Sequence, residues 1–152
     1  MHRILILNGP NLDLLGQREP EIYGADTLED LEGQWVTWGQ EHGVEITCEQ
    51  SNHEGDLIEF IHHARGVHGG LVFNPGGYTH TSVALRDALL GVRPLPFIEV
   101  HLSQPAARES FRHQSLMSDI ALGTISGLGP MGYTLALQAM CRHLDGLTGG
   151  SP

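Results

Sequence analysis

The chain contains 152 residues, of which 40% are hydrophobic and 17% are charged, so its length and composition predict a single globular domain. Its formal net charge is −10, and its eight basic residues are all arginine, because no lysine occurs anywhere in the sequence. The missing lysine excludes Schiff-base catalysis, attachment of pyridoxal phosphate and a P-loop, since each of these requires an ε-amine.

The distribution of charged and apolar residues argues against several kinds of partner. Residues 19–59 hold twelve of the eighteen acidic residues and no arginine, which predicts a solvated acidic surface rather than affinity for nucleic acid. The apolar run at 4–7 is too short for a signal peptide, and nowhere do about 18 apolar residues follow one another. Cys48 and Cys141 belong to no CxxC pair. We therefore expect a cytoplasmic protein that binds neither nucleic acid nor membranes.

The first two predicted elements are a buried strand and an amphipathic helix. The continuous apolar run 4–7 ends at Asn8-Gly9-Pro10, as a strand buried on both faces would. After a loop, Asp26 or Thr27 offers an N-cap for a helix that Gly43 terminates. Four large apolar residues recur within it at helical spacing: Leu28, Leu31, Trp35 and Trp38.

The same alternation of strand and helix continues to the end of the chain. Further strands are predicted at 44–49, 70–73, 97–100 and about 120–125, and further helices at 54–65, 79–90 and 130–144. This order predicts right-handed crossovers and an α/β, flavodoxin-like, doubly wound fold with a five-stranded parallel sheet. No linker or repeat interrupts it, so residues 1–152 are expected to form one domain with a frayed tail at 147–152.

Polar residues stand where four of the predicted strands end. They are Asn8 and Asn11 after the first strand, Gln50, Ser51 and Asn52 after the second, Asn74 after the third, and His101 and Ser103 after the fourth. The carboxyl ends of parallel strands share one edge of the sheet, which is where open α/β sheets bind ligands. The sequence therefore predicts a polar ligand site at this edge.

The loop after the first strand runs for about fifteen residues without a helical or strand period, a length that compact domains seldom keep without a use such as a lid. It carries Arg18 and Tyr23. A tyrosine, whose ordinary pKa is near 10, acts as a base at neutral pH only if a cation stabilises its phenolate, and Arg18 is the nearest candidate. A surface tyrosine in a turn is the alternative interpretation.

Two pairs of polar residues in and after the fourth strand indicate acid chemistry and anion binding. Glu99 and His101 are two apart on a strand and so point to the same face, where the carboxylate can orient the imidazole and favour its charged form. This arrangement suits a general acid. Arg108 and Arg112 lie on one face if their segment is helical, where they suit a carboxylate or hydroxyl groups. A solvated helical face is the ordinary alternative for the two arginines.

Two glycine-rich segments have the form of anion-binding loops. In 74–77 the glycines allow backbone amides to approach an anion, and His80 and Asp87 follow this segment. The segment 127–132 matches G-x-G-x-x-G, but the chain ends before the acidic strand tip that a dinucleotide site requires. We therefore interpret 127–132 as a tight turn with close helix packing and expect no nucleotide.

The histidines do not form a recognisable metal-binding pattern. The sequence has no H-E-x-x-H, and the adjacent His62 and His63 would project in different directions from a helix. No G-x-S-x-G nucleophile elbow occurs either. We expect neither a metal nor a cofactor.

Most of the residues named above fall in four segments of the chain. These are LNGPNLDLLGQREPEIYG at 7–24, QSNHEGDLIEFIHHA at 50–64, NPGGYTHTSVALRDAL at 74–89 and PFIEVHLSQPAARESFRHQS at 96–115. Together with GLGPMGYTLAL at 127–137 they resemble, in the same order, the motifs of the type II 3-dehydroquinases, the 3-dehydroquinate dehydratases that form no Schiff base. The resemblance covers residues 4–140.

The resemblance implies an anti elimination of water from 3-dehydroquinate through an enolate, giving 3-dehydroshikimate in the shikimate pathway to chorismate and the aromatic amino acids. Tyr23 would be the base that removes the C2 proton, with its pKa lowered chiefly by Arg18. Asn11 would help to hold a water at the developing enolate oxygen. His101, paired with Glu99, would protonate the leaving C1 hydroxyl.

The resemblance also implies a substrate-binding set, an assembly and a few departures. The implied substrate-binding residues are Asn74, His80, Leu102, Ser103 and Arg112. Asp87 would reach a neighbouring subunit's site in a homododecamer made of four trimers. The departures from the common family pattern, none at a catalytic position, are Asp13, Gln104 and Leu116.

Two functions from other classes are the alternatives. A flavodoxin-like ligand-binding or electron-transfer module would need a phosphate loop and flanking aromatic residues that are not evident in the sequence. A catalytically inactive interaction module of the same fold would show no turnover. A turnover assay and a visible flavin spectrum separate these three functions.

Overall fold

Five parallel strands form one sheet in the computed structural model, in the order β2-β1-β3-β4-β5. Their bounds are His2–Asn8 for β1, Val44–Gln50 for β2, Gly70–Asn74 for β3, Phe97–His101 for β4 and Gly123–Ser126 for β5. The structure describes residues 1–17, 21 and 24–147. The predicted frayed tail therefore lies, apart from its first residue, outside the described residues, as do Arg18 and Tyr23.

Two pairs of helices cover the two faces of the sheet. They are α1 (Leu28–His42), α2 (Glu54–Ala64), α3 (Val83–Gly91) and α4 (Met131–Leu147). In β1, Ile4 and Ile6 pack into a core with α1 and α4, whereas Leu5 and Leu7 pack into a second core with α2 and α3. The prediction of a flavodoxin-like, doubly wound α/β fold is confirmed. The strand order reverses between β1 and β3, the place where such folds bind ligands.

Helix α1 begins and ends as its sequence predicts. The Thr27 hydroxyl accepts a hydrogen bond from the Asp30 backbone N–H, and the Asp30 carboxylate accepts one from the Thr27 N–H, which completes a capping box. Gly43 ends the helix in the left-handed conformation, with a φ of 69°. The N-cap is therefore Thr27 rather than Asp26.

Two glycines within α1 are predicted to respond in opposite ways to alanine. A Cβ added at Gly39 would lie 2.5 Å from the Val44 carbonyl oxygen, whereas one added at Gly33 would meet nothing within 4 Å. We expect Gly39→Ala to destabilise the fold by about 1–3 kcal/mol through overpacking. Gly33→Ala, the matched control in the same helix, should stabilise it by up to about 1 kcal/mol through helix propensity. Thermal denaturation measures both, and equal shifts of the same sign would contradict the prediction.

Three predicted boundaries differ from the structure. The helix predicted from residue 79 begins only at Val83, because Gly76–His80 forms a 3-10 turn and the Ser82 hydroxyl caps α3 by accepting from the Leu85 N–H. The last strand begins at Gly123 rather than near 120, because Ser118–Ile120 is another 3-10 turn. Helix α4 begins at Met131, one residue after Pro130, and continues beyond the predicted end. None of the helices described here is long and apolar enough to cross a membrane.

Candidate active site

A cavity of about 220 Å³ lies at the carboxyl ends of β1, β3 and β4. It is lined by Pro10, Asn11, Leu12, Leu14, Leu15, Asn74, Gly76, Gly77, His80, His101, Leu102, Ser103, Pro105, Arg108 and Arg112. Seven of the eleven predicted site residues are in this lining: Asn11, Asn74, His80, His101, Leu102, Ser103 and Arg112. The structure thus brings together most of the residues that sequence reasoning selected.

His101 and Glu99 form a hydrogen-bonded pair at the end of β4. His101 Nε2 lies 2.5 Å from Glu99 Oε2, so the two side chains share one face of the strand as predicted. The imidazole lines the cavity, whereas the carboxylate lies behind it and is only 1% exposed. The pair therefore presents an imidazole to a bound molecule and supports it with a buried acceptor.

Two serine hydroxyls hold the other oxygen of the Glu99 carboxylate. Ser115 and Ser118 donate to Glu99 Oε1 at 2.9 and 3.0 Å. Burial in itself raises the pKa of Glu99, but the hydrogen bonds and charge of His101, together with the two hydroxyls, outweigh it and hold the pKa below its ordinary value of 4.5. Glu99 is thus an anion in the range where enzymes work, and it gives His101 a negatively charged hydrogen-bond partner.

The lowered pKa of Glu99 predicts a loss of stability in acid. If folding lowers the pKa of a carboxyl group, the group stabilises the folded state at pH values above its pKa in the unfolded chain. This stabilisation is lost as the pH falls through the pKa of the folded state. We expect Glu99→Gln to be less stable than the wild type at pH 7, by about 1.4 kcal/mol for each unit by which folding lowers the pKa. The difference should shrink as the pH falls below 4.5. Denaturant unfolding from pH 7 to pH 3 measures it.

The exposed Glu59→Gln is the matched control for this comparison, because Glu59 lies on the surface of α2. The free energy of unfolding of Glu59→Gln should equal that of the wild type throughout the pH range. A Glu99→Gln curve parallel to the wild-type curve through the acid range would contradict the prediction.

The turn that carries Asn11 is held by side chains at and just after the end of β2. Asn11 has a φ of 71°, the left-handed conformation. Its backbone N–H donates to Asn52 Oδ1 at 2.9 Å, and Gln50 Nε2 donates to the Gly9 carbonyl at 3.2 Å. The polar residues after the second strand, which were predicted to form part of the ligand edge, are not in the cavity lining. They contribute by holding the backbone of the turn after β1.

His80 reaches the cavity because the chain forms a 3-10 turn where a helix was predicted. Its Nδ1 lies 2.8 Å from the Gln114 carbonyl oxygen, which ties the Gly76–His80 turn to the segment that follows β4. The backbone N–H of Leu116 also donates to the Thr79 carbonyl at 2.9 Å. These two contacts position the imidazole of His80 at the edge of the cavity.

Arg108 and Arg112 both line the cavity, but they do not share a helical face. A shared face would have required this segment to be helical, but it forms two separate 3-10 turns, Pro105–Ala107 and Ser110–Arg112, with Arg108 extended between them. The Arg108 Nη1 donates to Ser103 Oγ at 3.2 Å. One oxygen of Glu109 lies 3.7 Å from Arg108 Nε and 3.1 Å from Arg112 Nε, so this carboxylate orients both guanidinium groups.

Asp87, another of the predicted site residues, does not line the cavity. It is exposed on α3. Arg18 and Tyr23 lie outside the described residues. Among residues 1–17, 21 and 24–147, no three His, Cys, Asp or Glu side chains are grouped as a metal ion would require.

Three residues that hydrogen-bond to the candidate site were missed or misplaced by sequence reasoning: Ser115, Ser118 and Asn52. The two serines stand three apart in HQSLMSD, a polar spacing that fits a surface turn equally well. Asn52 was placed at the ligand edge, but its side chain holds backbone instead. No local sequence pattern predicts these contacts, because each joins residues that are 16 to 41 positions apart in the chain.

Comparisons with known proteins show the family to which the chain belongs. The family model described as Dehydroquinase class II matches residues 2–141. The 3-dehydroquinate dehydratase of Ruegeria pomeroyi is 55% identical over 145 residues, which cover 95% of this chain and 97% of that protein. The catabolic 3-dehydroquinase 2 of Aspergillus flavus is 56% identical over 147 residues, which cover 97% of each chain.

A solved structure shows the same fold. The type II dehydroquinase of Propionibacterium acnes superposes with a TM-score of 0.89 at 43% sequence identity, covering 93% of this chain and 97% of its own. The alignment spans nearly the whole of both chains, so the likeness concerns the fold as a whole. This chain belongs to the class II dehydroquinase family, a family of hydro-lyases.

Proposed function

We propose that this chain is a 3-dehydroquinate dehydratase that removes water from 3-dehydroquinate to give 3-dehydroshikimate. The observation that carries the proposal is the buried Glu99 carboxylate 2.5 Å from an imidazole that lines the cavity. An elimination of water needs an acid beside the leaving hydroxyl, and His101 held by an anion has the chemistry of such an acid. The names of the relatives in the same family support the choice of substrate.

The reaction would proceed by loss of a proton followed by loss of hydroxide as water. Tyr23, as a phenolate stabilised by Arg18, would take the C2 proton, and the electrons of the C–H bond would form an enolate. A water held by Asn11 would stabilise the enolate oxygen. The enolate would then re-form the carbonyl as the C1–O bond breaks, and His101 would protonate the departing oxygen. A proton returned from Tyr23 to His101 would complete the cycle.

The cavity supplies the groups that a small polyhydroxylated carboxylate would need. We assign the carboxylate and ring hydroxyls of the substrate to the predicted substrate-binding set at the cavity wall: Asn74, His80, Leu102, Ser103 and Arg112. The Arg112 guanidinium offers charge-assisted hydrogen bonds, which are the strong kind. Although the whole chain has a net charge of −10, two arginines thus give the cavity wall local positive charge.

We propose that the chain assembles as a homododecamer in which Asp87 contributes to a neighbouring subunit's site. The exposure of Asp87 on α3, away from the cavity of its own subunit, supports this role. Analytical ultracentrifugation tests the assembly. A monomeric species that is fully active would contradict it.

The experiment that tests the proposed function adds 3-dehydroquinate to the purified protein and follows the ultraviolet absorbance of the conjugated enone product. We expect a rise that depends on enzyme concentration. No rise above the blank would overturn the proposal. A purified protein with visible flavin absorbance and no turnover would favour the electron-transfer alternative.

Removal of metal ions is predicted to leave the reaction unchanged. The proposed steps use a phenolate, an imidazole, amides and guanidinium groups, and none of them needs an electrophilic metal. Exhaustive dialysis against a chelator followed by the absorbance assay should give kcat and KM values equal to those of the untreated enzyme. A loss of activity that a divalent cation restores would contradict this prediction.

A further inference from the structure

Tyr133 is a fully buried polar residue directly beneath the cavity. It stands in the first turn of α4, is 0% exposed and stacks on Trp35 with ring centroids 4.4 Å apart. Its hydroxyl lies 2.5 Å from Asn8 Oδ1 and 2.9 Å from Asn74 Nδ2. Asn8 and Asn74 are paired in register at the ends of β1 and β3, so one hydroxyl connects two strand ends. Asn74 in turn lines the cavity.

The direction of each hydrogen bond in this network follows from the donors and acceptors. The Gly76 backbone N–H can only donate, and it lies 3.1 Å from Asn74 Oδ1, so the oxygen of that amide must face the turn. The Asn74 nitrogen therefore faces Tyr133, whose hydroxyl oxygen accepts from it. The single proton of the hydroxyl is then left for Asn8 Oδ1. Reversing the Asn74 amide would set its nitrogen against the Gly76 N–H, so that two donors would face each other.

Burial also keeps this hydroxyl in one state. It raises the pKa of Tyr133 well above the ordinary value for a tyrosine, so the group stays neutral and keeps its proton near neutral pH. A neutral hydroxyl is a donor and an acceptor at once, which is what the two amides require. The network therefore keeps the same donors and acceptors near neutral pH.

The glycine-rich segment that matched a nucleotide motif explains how Tyr133 reaches this position. Gly127 and Gly129 have φ values of 85° and 63°, conformations that favour glycine, and they form the turn between β5 and α4. A Cβ at Gly132 would lie 3.4 Å from Ile125 and 3.6 Å from Val100, so the helix backbone lies directly against the sheet. The interpretation of a tight turn with close helix packing is confirmed. The next residue, Tyr133, then extends under the strand ends.

We propose that Tyr133, backed by Asn8, is a positioning residue that fixes the Asn74 amide so that an N–H is available to the cavity and the amide oxygen is not. Within the part of the chain that the structure describes, Asn74 Nδ2 makes one hydrogen bond and has a second proton to offer. Asn74 therefore selects a substrate group that accepts a hydrogen bond, such as a carboxylate or a hydroxyl oxygen. The kinetic test of this inference rests on the proposed dehydratase activity.

The test removes the hydroxyl and keeps the ring. In Tyr133→Phe the stacking on Trp35 is retained, but Asn74 Nδ2 loses its acceptor, so the Asn74 amide is held by the Gly76 N–H alone and is less firmly fixed. We expect kcat/KM for 3-dehydroquinate to fall about tenfold, the cost of one misplaced hydrogen bond, chiefly through a higher KM. The kcat should stay within about twofold, because His101 and Glu99 are held by other residues.

Two controls separate positioning from a general loss of packing. Leu137→Val removes one methylene from the same helix and the same core, and should leave kcat/KM within about twofold of the wild type. In an Asn74→Ala background, Tyr133→Phe should cause no further loss, because the hydroxyl acts through Asn74. The inference is rejected if Tyr133→Phe alone is fully active, if Leu137→Val costs as much, or if the effects of Tyr133→Phe and Asn74→Ala simply multiply.

A crystal structure of Tyr133→Phe gives a readout that does not depend on activity. We expect the Asn74 side chain to leave the position 3.1 Å from the Gly76 nitrogen, or to lose a single orientation, in the variant and not in the wild type. An unchanged Asn74 would overturn the inference. If the wild type shows no turnover, the proposed function fails, and the comparison of crystal structures alone then decides whether Tyr133 positions Asn74.

Discussion

Replacement of His101 by alanine is expected to lower kcat by about 10²- to 10⁴-fold, the range over which a positioned general acid contributes to rate. The imidazole is the titratable group that Glu99 supports at the cavity, and without it the departing hydroxyl leaves without a proton donor. Steady-state kinetics with 3-dehydroquinate measure the loss. KM should change much less than kcat, because a proton transferred in the transition state does not bind the ground state.

His101→Ala also leaves the buried Glu99 carboxylate with two serine donors in place of three partners, so a second variant is needed. His101→Gln retains a donor to Glu99 but has no proton that it can release near neutral pH. Its circular dichroism spectrum should match that of the wild type, which shows that it folds. Its kcat should be as low as that of His101→Ala. His62→Ala, an exposed histidine on α2, is the matched control and should be fully active. A His101→Gln enzyme with a kcat within tenfold of the wild type would exclude the acid role.

Replacement of Tyr23 by phenylalanine is expected to lower kcat by about 10²- to 10⁴-fold, because it removes the phenolate that we propose as the base. The ring is kept, so binding and folding should be preserved. Stopped-flow or steady-state absorbance assays measure the rate, and thermal denaturation checks the fold. Tyr78→Phe is the matched control, since the Tyr78 hydroxyl donates to the Asn52 backbone carbonyl at 3.3 Å and Tyr78 is not in the cavity lining.

The pH dependence identifies the partner of this base. If the Arg18 cation lowers the pKa of the Tyr23 phenol, then Arg18→Gln raises it, and the rise of kcat with pH moves to more alkaline values. Activity that recovers at high pH in Arg18→Gln and not in Tyr23→Phe is the expected pattern. A Tyr23→Phe enzyme that retains a near-normal rate would reject the assignment of the base.

The elements of this fold that the sequence predicted well are those defined by local chemistry. The apolar run within β1 has alternate residues in two different cores, which is why all of it is apolar. Helix α1 has a capping box at Thr27 and a left-handed Gly43, both of which are signals within a few residues of the boundary. The start of α3 was predicted too early, because Thr79 and His80 fit the helical pattern but belong to a turn tied to residues after β4.

The sequence predicted those site residues that lie at the ends of strands. Asn11, Asn74 and His101 converge because each lies at or shortly after the end of a parallel strand, and parallel strands end at the same edge. The residues that fix their orientation were not predictable in this way. Tyr133 contacts amides 59 and 125 residues away, distances along the chain that no local period encodes. The family resemblance supplied roles for Arg18 and Tyr23, which stay predictions.

The arrangement of the three central strands also determines the size of molecule that the cavity can take. Neighbouring strands in a sheet lie about 4.8 Å apart, so groups at the ends of β1, β3 and β4 are spread over about 10 Å. One six-membered ring with its carboxylate and hydroxyl groups has a comparable width, and a dinucleotide would extend well beyond it. This limit comes from backbone hydrogen bonds rather than from side chains. Substitutions at the cavity wall can therefore change which groups on a ring are bound more easily than they can admit a larger ligand.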